Sequence, residues 1–506
     1  MNEKATRKDW LGLSVLVIPI LLVSMDISVL YLALPAVAAD LEPTSNQTLW
    51  ILDLYGFFLA GLLITMGSVG DRIGRRRLLM IGAVVFGAAS VLAAFSTSPE
   101  MLLVARALLG VGGATIAPST LSLIRNMFHD PGQRKEAIGM WTAGFAGGGA
   151  IGPVIGGFLL EHFWWGSVFL VNIPIMALLL VTAPLLVPEF KDPNPGKFDP
   201  TSVVLSIAAM LGIVYAIKHG AQEGFDTATI STALGGLVLG YLFVVRQRRA
   251  TDPLIDITLF TERAFSAAVL VQFLVIFALT GFSLFASQYL QLLVGLGPLA
   301  AGLWLLIPAG TAGVGAILSP TLSKIVPTGT IIAGGLVLIA VGSLTLSFVG
   351  ADSGIPLMII GMSLITLGVG AASTLNSDIV LTAAAPEKAG TASALSETGA
   401  ELGGAVGIAI LGTIGTTVYR NRLQDSLPPE TPPDIAGPAS ETVGGGMAVA
   451  EYLPAPLNDA LRELAASGFV DGLNLAAAWC AAGMGISAFV VYLLLRGKRL
   501  QPHLVD

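Results

Sequence analysis

The chain has 506 residues, 54% of them hydrophobic and 12% charged, with 26 Lys and Arg against 33 Asp and Glu. Soluble domains carry roughly 25% charged residues, so half the usual charge is missing, and a mean hydropathy of +0.81 excludes a soluble globular or disordered chain. The net charge of −7 says less than its distribution, and no nucleic-acid partner is expected.

Lys4, Arg7 and Lys8 precede an apolar run ending in Ala36-Val37-Ala38, the outline of a secretory signal with its cleavage site. The run is about 25 residues long, beyond a signal core, and carries Pro19 and Asp26, so it reads as a first transmembrane helix. Hydropathy predicts fourteen spans, near 11–36, 48–70, 78–97, 100–126, 137–161, 165–187, 200–219, 228–246, 265–291, 299–320, 330–349, 355–381, 391–418 and 470–495. Even parity places both termini on one side. Lys and Arg favour that side by about five to one, so both termini are expected in the cytoplasm.

The expected fold is an all-α integral membrane protein. Spans 7 and 8 read as an inserted pair, and removing them leaves six plus six, the arithmetic of a two-bundle transporter. The expected organisation is an N-terminal six-helix bundle at 1–190, a linker hairpin at 191–263 and a C-terminal six-helix bundle at 264–506. The last carries an outer loop at 419–469, rich in proline at Pro428, Pro429, Pro432 and Pro433 and broken by Gly444-Gly445-Gly446. Within it, 456–464 has the pattern of a short amphipathic surface helix.

Several polar residues stand out against this apolar background. The turn Gly67-Ser68-Val69-Gly70-Asp71-Arg72-Ile73-Gly74-Arg75-Arg76-Arg77 lies between spans 2 and 3. Gly67 and Gly74 permit a sharp reversal, Asp71 can accept backbone N–H groups or pair with arginine, and Arg72 and Arg75 can bridge to other helix ends. Arg106 sits inside span 4, where a charge costs at least about 2.5–3.5 kcal/mol and is functional by default. Asp26 in span 1 and Asp53 in span 2 are carboxylates in hydrocarbon, which must be protonated or paired. Glu397 and Glu401 in span 13 are one helical turn apart, hence on one face, and resist simultaneous ionisation. Span 5 carries Gly148, Gly152, Pro153, Gly156 and Gly157, a flat face for close helix packing with one backbone hydrogen bond removed at the proline.

These motifs together resemble the major facilitator superfamily. The 67–77 turn is similar to that family's hallmark loop between helices 2 and 3, which there forms a charge relay that locks and releases one conformation. The arginine within Leu103-Val104-Ala105-Arg106-Ala107-Leu108-Leu109-Gly110 looks like the family's helix-4 arginine, linked there to proton transfer. Gly148–Gly157 resembles the helix-5 motif GxxxGPxxGG of drug:proton antiporters. Asp26–Pro35 resembles the DxTVxNxALP signature of the fourteen-helix branch, with Ser28 in place of threonine and Tyr31 in place of asparagine. The positions of Asp26, Asp53, Glu397 and Glu401 resemble those of acids in exporters of the QacA and SmvA type, which remove quaternary-ammonium and other lipophilic cations. Span 10, at Gly310-Thr311, lacks the carboxylate of some relatives, which argues against divalent cations.

The resemblance implies proton-coupled efflux of hydrophobic, mainly cationic drugs and antiseptics across the plasma membrane by alternating access. It implies a monomer with no cofactor and no metal, in a bacterial inner membrane. Tyr55, Phe57, Phe145, Phe285, Tyr289 and Trp304 are candidates to line the cavity and hold cations by their ring faces. Two alternatives remain: an exporter of a lipid or neutral antibiotic on the same scaffold, and a membrane-embedded enzyme or channel. No Walker loop is present, and His129, His162, His219 and His503 have neither metal nor triad spacing. Cys480 stands alone, so no intrachain disulfide forms.

Overall fold

A computed structural model describes residues 4–191, 199–223, 226–250, 257–383, 389–427, 433–455 and 457–496. Every regular element among them is helical, the form in which a lipid-immersed backbone satisfies its own hydrogen bonds. The first part of the chain forms α1 (Arg7–Leu41), α2 (Ser45–Ile73), α3 (Arg75–Ala94), α4 (Pro99–Met127), α5 (Pro131–His162), α6 (Ser167–Leu170), α7 (Asn172–Leu186), α8 (Pro200–Glu223) and α9 (Thr227–Arg249). It continues with α10 (Arg263–Gln288), which ends in a π-helical turn over Tyr289–Leu293, then α11 (Pro298–Leu322), α12 (Thr328–Leu346), α13 (Gly354–Ala383), α14 (Ala389–Ser426), α15 (Pro433–Glu441), α16 (Val443–Glu451) and α17 (Leu457–Leu495).

The helix starts follow from local chemistry. Thr6 with Asp9, and Thr44 with Gln47, form capping boxes at α1 and α2. Ser98 and Asp130 cap α4 and α5, each with proline in the first turn, where its missing N–H costs nothing.

All fourteen predicted spans fall on helices, α6 and α7 together making the sixth. Among the described residues twelve helices are long and apolar enough to cross a membrane, and α2, bent by 50° between Leu63 and Thr65, makes a thirteenth. The remaining expected span coincides with α8, whose apolar part, Pro200–Ala216, is shorter than the others. Its N-terminal end is pinned to α9. Asp199 accepts from Nε and Nη2 of Arg246 at 2.7 and 2.8 Å, and Gln247 Nε2 donates to Ser202 Oγ at 2.7 Å.

The chain forms two compact units. One comprises Met1–Ala216, Phe225–Leu254 and Leu296–Leu303; the other comprises Ile217–Gly224, Ile255–Gly295 and Trp304–Asp506. In the first, α1 packs on α5, α2 on α4, and α3 on α4 and α7. In the second, α10 packs on α14, and α12 on α13 and α17.

Each unit contains its own seam of small residues. A Cβ on Gly148 would strike the Leu21 carbonyl, one on Gly152 the Ser28 hydroxyl, and one on Gly156 would lie 2.7 Å from Val29. In the second unit the same spacing recurs on α14. A Cβ on Gly399 would lie 3.0 Å from Val269, and those on Gly403 and Gly407 would strike the carbonyls of Phe273 and Phe277. Glycine at every fourth residue lets two backbones touch along a straight row, and the recurrence marks an internal repeat.

The stretch 419–469 is mostly helical among its described residues. α14 runs on to Ser426, and α15 and α16 follow. Tyr419 donates from its hydroxyl to Ala439 O at 2.8 Å, and Arg420 pairs with Glu441 at 3.1 Å. The expected amphipathic helix at 456–464 begins α17, which continues without a break to Leu495.

Candidate functional site

In the first unit α1, α2 and α4 converge on one guanidinium. Arg106 is 1% exposed and Asp26 is 6% exposed. Arg106 Nη1 donates to Asp26 Oδ2, and its Nε donates to Ile51 O at 3.0 Å. Its Cζ lies 4.8 Å from the centre of the Tyr55 ring, and the Tyr55 hydroxyl donates to Val23 O at 3.1 Å. One cation is thus met by a carboxylate, a carbonyl and a π-face. Glycine makes the approach between helices possible, since a Cβ on Gly110 would lie 2.5 Å from Tyr55 O. Asp53 is buried in α2, two residues beyond the carbonyl that holds Arg106.

The α2–α3 turn is a second cluster. Gly74 has φ +112°, open to glycine and strained for other residues. Arg75 Nη2 pairs with Asp71 Oδ1 at 2.5 Å, and Arg75 N donates to Phe190 O at 2.8 Å. Arg75 also fills the space beside Gly70, where a Cβ would lie 2.9 Å from its Cδ. Glu189, just past α7, caps α3 with both oxygens: Oε1 accepts from Arg76 N at 2.9 Å and Oε2 from Arg77 N at 3.2 Å. Arg76 Nη1 returns the contact by donating to Val187 O at 2.9 Å. A carboxylate at a helix N-terminus meets free N–H groups and the positive end of the dipole. Gly67 and Arg72 belong to the last two turns of α2. No role is singled out for Glu189 from the sequence. The available signal was an acid directly after span 6, on the side where the arginine turn emerges.

Gly152 and Gly156 face α1, as described above. Gly157 faces another way, and a Cβ there would lie 2.6 Å from Pro298 O at the start of α11, in the part of that helix grouped with the first unit. The carbonyl of Pro153 closes on Gly302 in the same place. The antiporter-like motif therefore has two contact faces.

In the second unit Glu397 and Glu401 stand one turn apart on α14, both half-buried. The aromatic candidates are dispersed. Phe57 is buried against Trp50, with ring centres 5.9 Å apart. Phe145 is half-buried and stacks on Trp141 at 6.3 Å. Phe285 packs against Phe282 and Phe469. The Tyr289 hydroxyl donates to Gly350 O at 3.1 Å, and Trp304 is 38% exposed.

Helices long and apolar enough to cross a membrane, a buried ion pair and a charged, glycine-hinged turn mark a multi-pass membrane protein. The model of the Major Facilitator Superfamily matches residues 16–408, so the chain belongs to that superfamily. The chain is 45% identical over 472 residues to the multidrug efflux pump LfrA of Mycolicibacterium smegmatis, covering 93% of each. It is 34% identical over 470 residues to the methyl viologen resistance protein SmvA of Salmonella typhimurium, covering 92% of this chain and 93% of that protein. Among solved structures, a bacterial homologue of the human lysosomal transporter Spinster, inward-facing and unoccupied, superposes with a TM-score of 0.68 at 17% identity, covering 98% of this chain and 100% of that one. The peptide transporter POT in complex with sulfate gives 0.62 at 17% identity over 96% of both chains. These likenesses show the fold.

Proposed function

We propose that this transporter exports hydrophobic, mainly monovalent cationic drugs and antiseptics from a bacterial cytoplasm, driven by protons moving inward. It works as a monomer by alternating access, with both termini cytoplasmic and the two six-helix halves joined by the α8–α9 hairpin. The observation that carries this reading is the imbalance of charge within the spans. More than one helical turn in from the span ends, Asp26, Asp53, Glu397 and Glu401 supply four carboxylates against the single guanidinium of Arg106. Charge in hydrocarbon must be compensated, and either protons or an incoming organic cation can do so.

Arg106 already neutralises Asp26, so this pair is assigned the proton-linked switch. A proton taken by Asp26 frees the guanidinium, which then leans on Ile51 O and the Tyr55 ring. Asp53, Glu397 and Glu401 are assigned the exchange of proton for drug, with Phe145 and Trp304 offering ring faces to the cation. Proton arrival from outside neutralises the acids and releases the drug. A membrane potential adds about 2.3 kcal/mol per charge per 100 mV, enough for substantial accumulation outside. Asp71, Arg72, Arg75 and the hinges Gly67 and Gly74 gate the inner side. The multidrug efflux pump among the relatives supports drug export, and the methyl viologen resistance protein supports organic cations as a class. Methyl viologen itself is a dication, so it serves as the contrasting substrate.

The test is dye export from proteoliposomes under an imposed pH gradient. Ethidium is expected to be pumped, a protonophore to stop it, and Asp26→Asn and Glu401→Gln to abolish it. Pumping that survives the protonophore or both substitutions overturns the mechanism. Export of long-chain neutral lipids with Asp53→Asn intact in rate favours the alternative substrate class.

A further inference from the structure

The inner-end half of α1 carries a feature that export does not use. A cavity of about 710 Å³ is lined by Arg7, Trp10, Leu11, Leu13, Ser14, Val17 and Ile18 of α1 and by Met140 of α5. The chain just before α1, and Val17 within it, each touch α5. Ala5 N donates to Gln133 Oε1 at 2.8 Å, and a Cβ on Gly144 would lie 2.5 Å from Val17. Between these contacts Gly139 of α5 has no atom within 4 Å of where a Cβ would stand. The result is a partly open groove along α1.

Its dimensions and polarity are those of one phospholipid in one leaflet. From Arg7 to Ile18 the helix rises about 16 Å, half of the roughly 30 Å hydrocarbon core. The wall is apolar except at Ser14 and at the Arg7 end. There Arg7 occupies the first turn of α1, where the helix dipole adds to its charge, and Lys4 and Lys8 flank it, all three exposed. The one acid in that turn is already used, since Asp9 Oδ2 accepts from Thr6 N and Thr6 Oγ1, both at 2.7 Å. Trp10 is fixed edge-on to Phe128, ring centres 5.0 Å apart, the posture of an interfacial anchor.

We propose that this groove binds an anionic phospholipid, its phosphate on Arg7 and one acyl chain along Trp10, Ser14 and Val17 to Ile18. The positive mouth selects for an anionic head group and against any cation, and this lipid site requires no transport role. It stands independently of the proposed function.

The test uses the full chain in phosphatidylcholine vesicles containing a rising fraction of phosphatidylglycerol brominated on its acyl chain. Bromine quenches nearby tryptophan, and subtracting the Trp10→Phe variant isolates Trp10. Brominated phosphatidylglycerol is expected to half-quench Trp10 at a fraction about fivefold lower than brominated phosphatidylcholine requires, the preference that one surface arginine confers. Arg7→Ala is expected to bring the two lipids together, and Ser14→Phe to reduce quenching by either. Equal half-quenching fractions in the native chain overturn the proposal, as does a preference that survives Arg7→Ala. Relief of quenching by tetraphenylphosphonium also overturns it, since the groove would then be an entry site for cations.

Discussion

Arg106 holds Asp26 across 80 residues of sequence, and both are sealed from solvent. Removing one partner of such a pair strands the other charge, at a cost of about 3–5 kcal/mol, whereas replacing both is far milder. Asp26→Asn and Arg106→Gln are each expected to lower the melting temperature of the purified protein in detergent. The double variant is expected to recover part of that loss while remaining inactive. Thermal melting of all four proteins checks this. Losses that simply add would show that the two groups are not coupled.

The α2–α3 turn makes a sharper prediction, because its parts differ in what they tolerate. Glu189→Gln keeps one carbonyl oxygen for Arg76 N or Arg77 N and is expected to cost about 1 kcal/mol, the usual worth of a helix cap. Gly74→Ala meets two obstacles: a φ of +112° and the Glu189 Oε1 atom 2.7 Å from the new Cβ. It is expected to be the more damaging of the two in melting. Asp71→Asn is expected to fold and reach the membrane yet fail to transport. Quantitative membrane blots beside dye efflux separate these outcomes.

Much of this was legible in the sequence, and the limit is physical. Hydropathy locates helices because a lipid-exposed backbone has no alternative to helix, so all fourteen expected spans coincide with helical segments. Glycine spacing on α5 reads directly as a packing face, and the same spacing at Gly399, Gly403 and Gly407 was available as evidence of a repeat. Pairing was not legible. Nothing in the run around Arg106 names Asp26, Ile51 or Tyr55 as its neighbours, because they lie on other helices, Asp26 on α1 and Ile51 and Tyr55 on α2. The same holds for Glu189, whose role depends on where α7 ends relative to α3. An aromatic residue inside a span carries no mark of the direction it faces, so Tyr289, tied by its hydroxyl to Gly350, is indistinguishable in sequence from the more exposed Trp304.

The repeated glycine seam predicts that equivalent substitutions in the two units behave alike. Gly152→Val would drive a branched side chain into Ser28 and Met25, and Gly403→Val into the backbone of Phe273. Overpacking of this kind costs about 1–3 kcal/mol or more. Gly310 is the control, since a Cβ there meets nothing within 4 Å. Both seam variants are expected to lower the melting temperature and the yield of folded protein, and Gly310→Ala to change neither. A Gly403→Val protein as stable as the native one would show that the second seam is not a tight contact.

The α8–α9 hairpin gives a pH dependence whose sign follows from one carboxylate. The Arg246 guanidinium beside Asp199 holds that carboxyl well below the usual carboxylate range, with the Ser202 hydroxyl and amide assisting. A group whose folded value is depressed stabilises the fold above its unfolded value, about 3.9 for aspartate, and loses that contribution as pH falls toward the folded value. Between pH 5 and 8 the hairpin is therefore expected to be indifferent to this group, and to loosen only under stronger acid. The Arg246 side chain is 46% exposed, so solvent screens the pair and its worth is small. Asp199→Asn keeps the helix cap but gives up the charge. Hydrogen exchange at the start of α8 and the end of α9 is expected to accelerate several-fold at pH 7 in this variant, with α12 unaffected. Below the usual carboxylate range the native protein and the variant should converge. Faster exchange across the whole chain, rather than at the hairpin, would mean that the Asp199–Arg246 pair supports more than the α8–α9 junction.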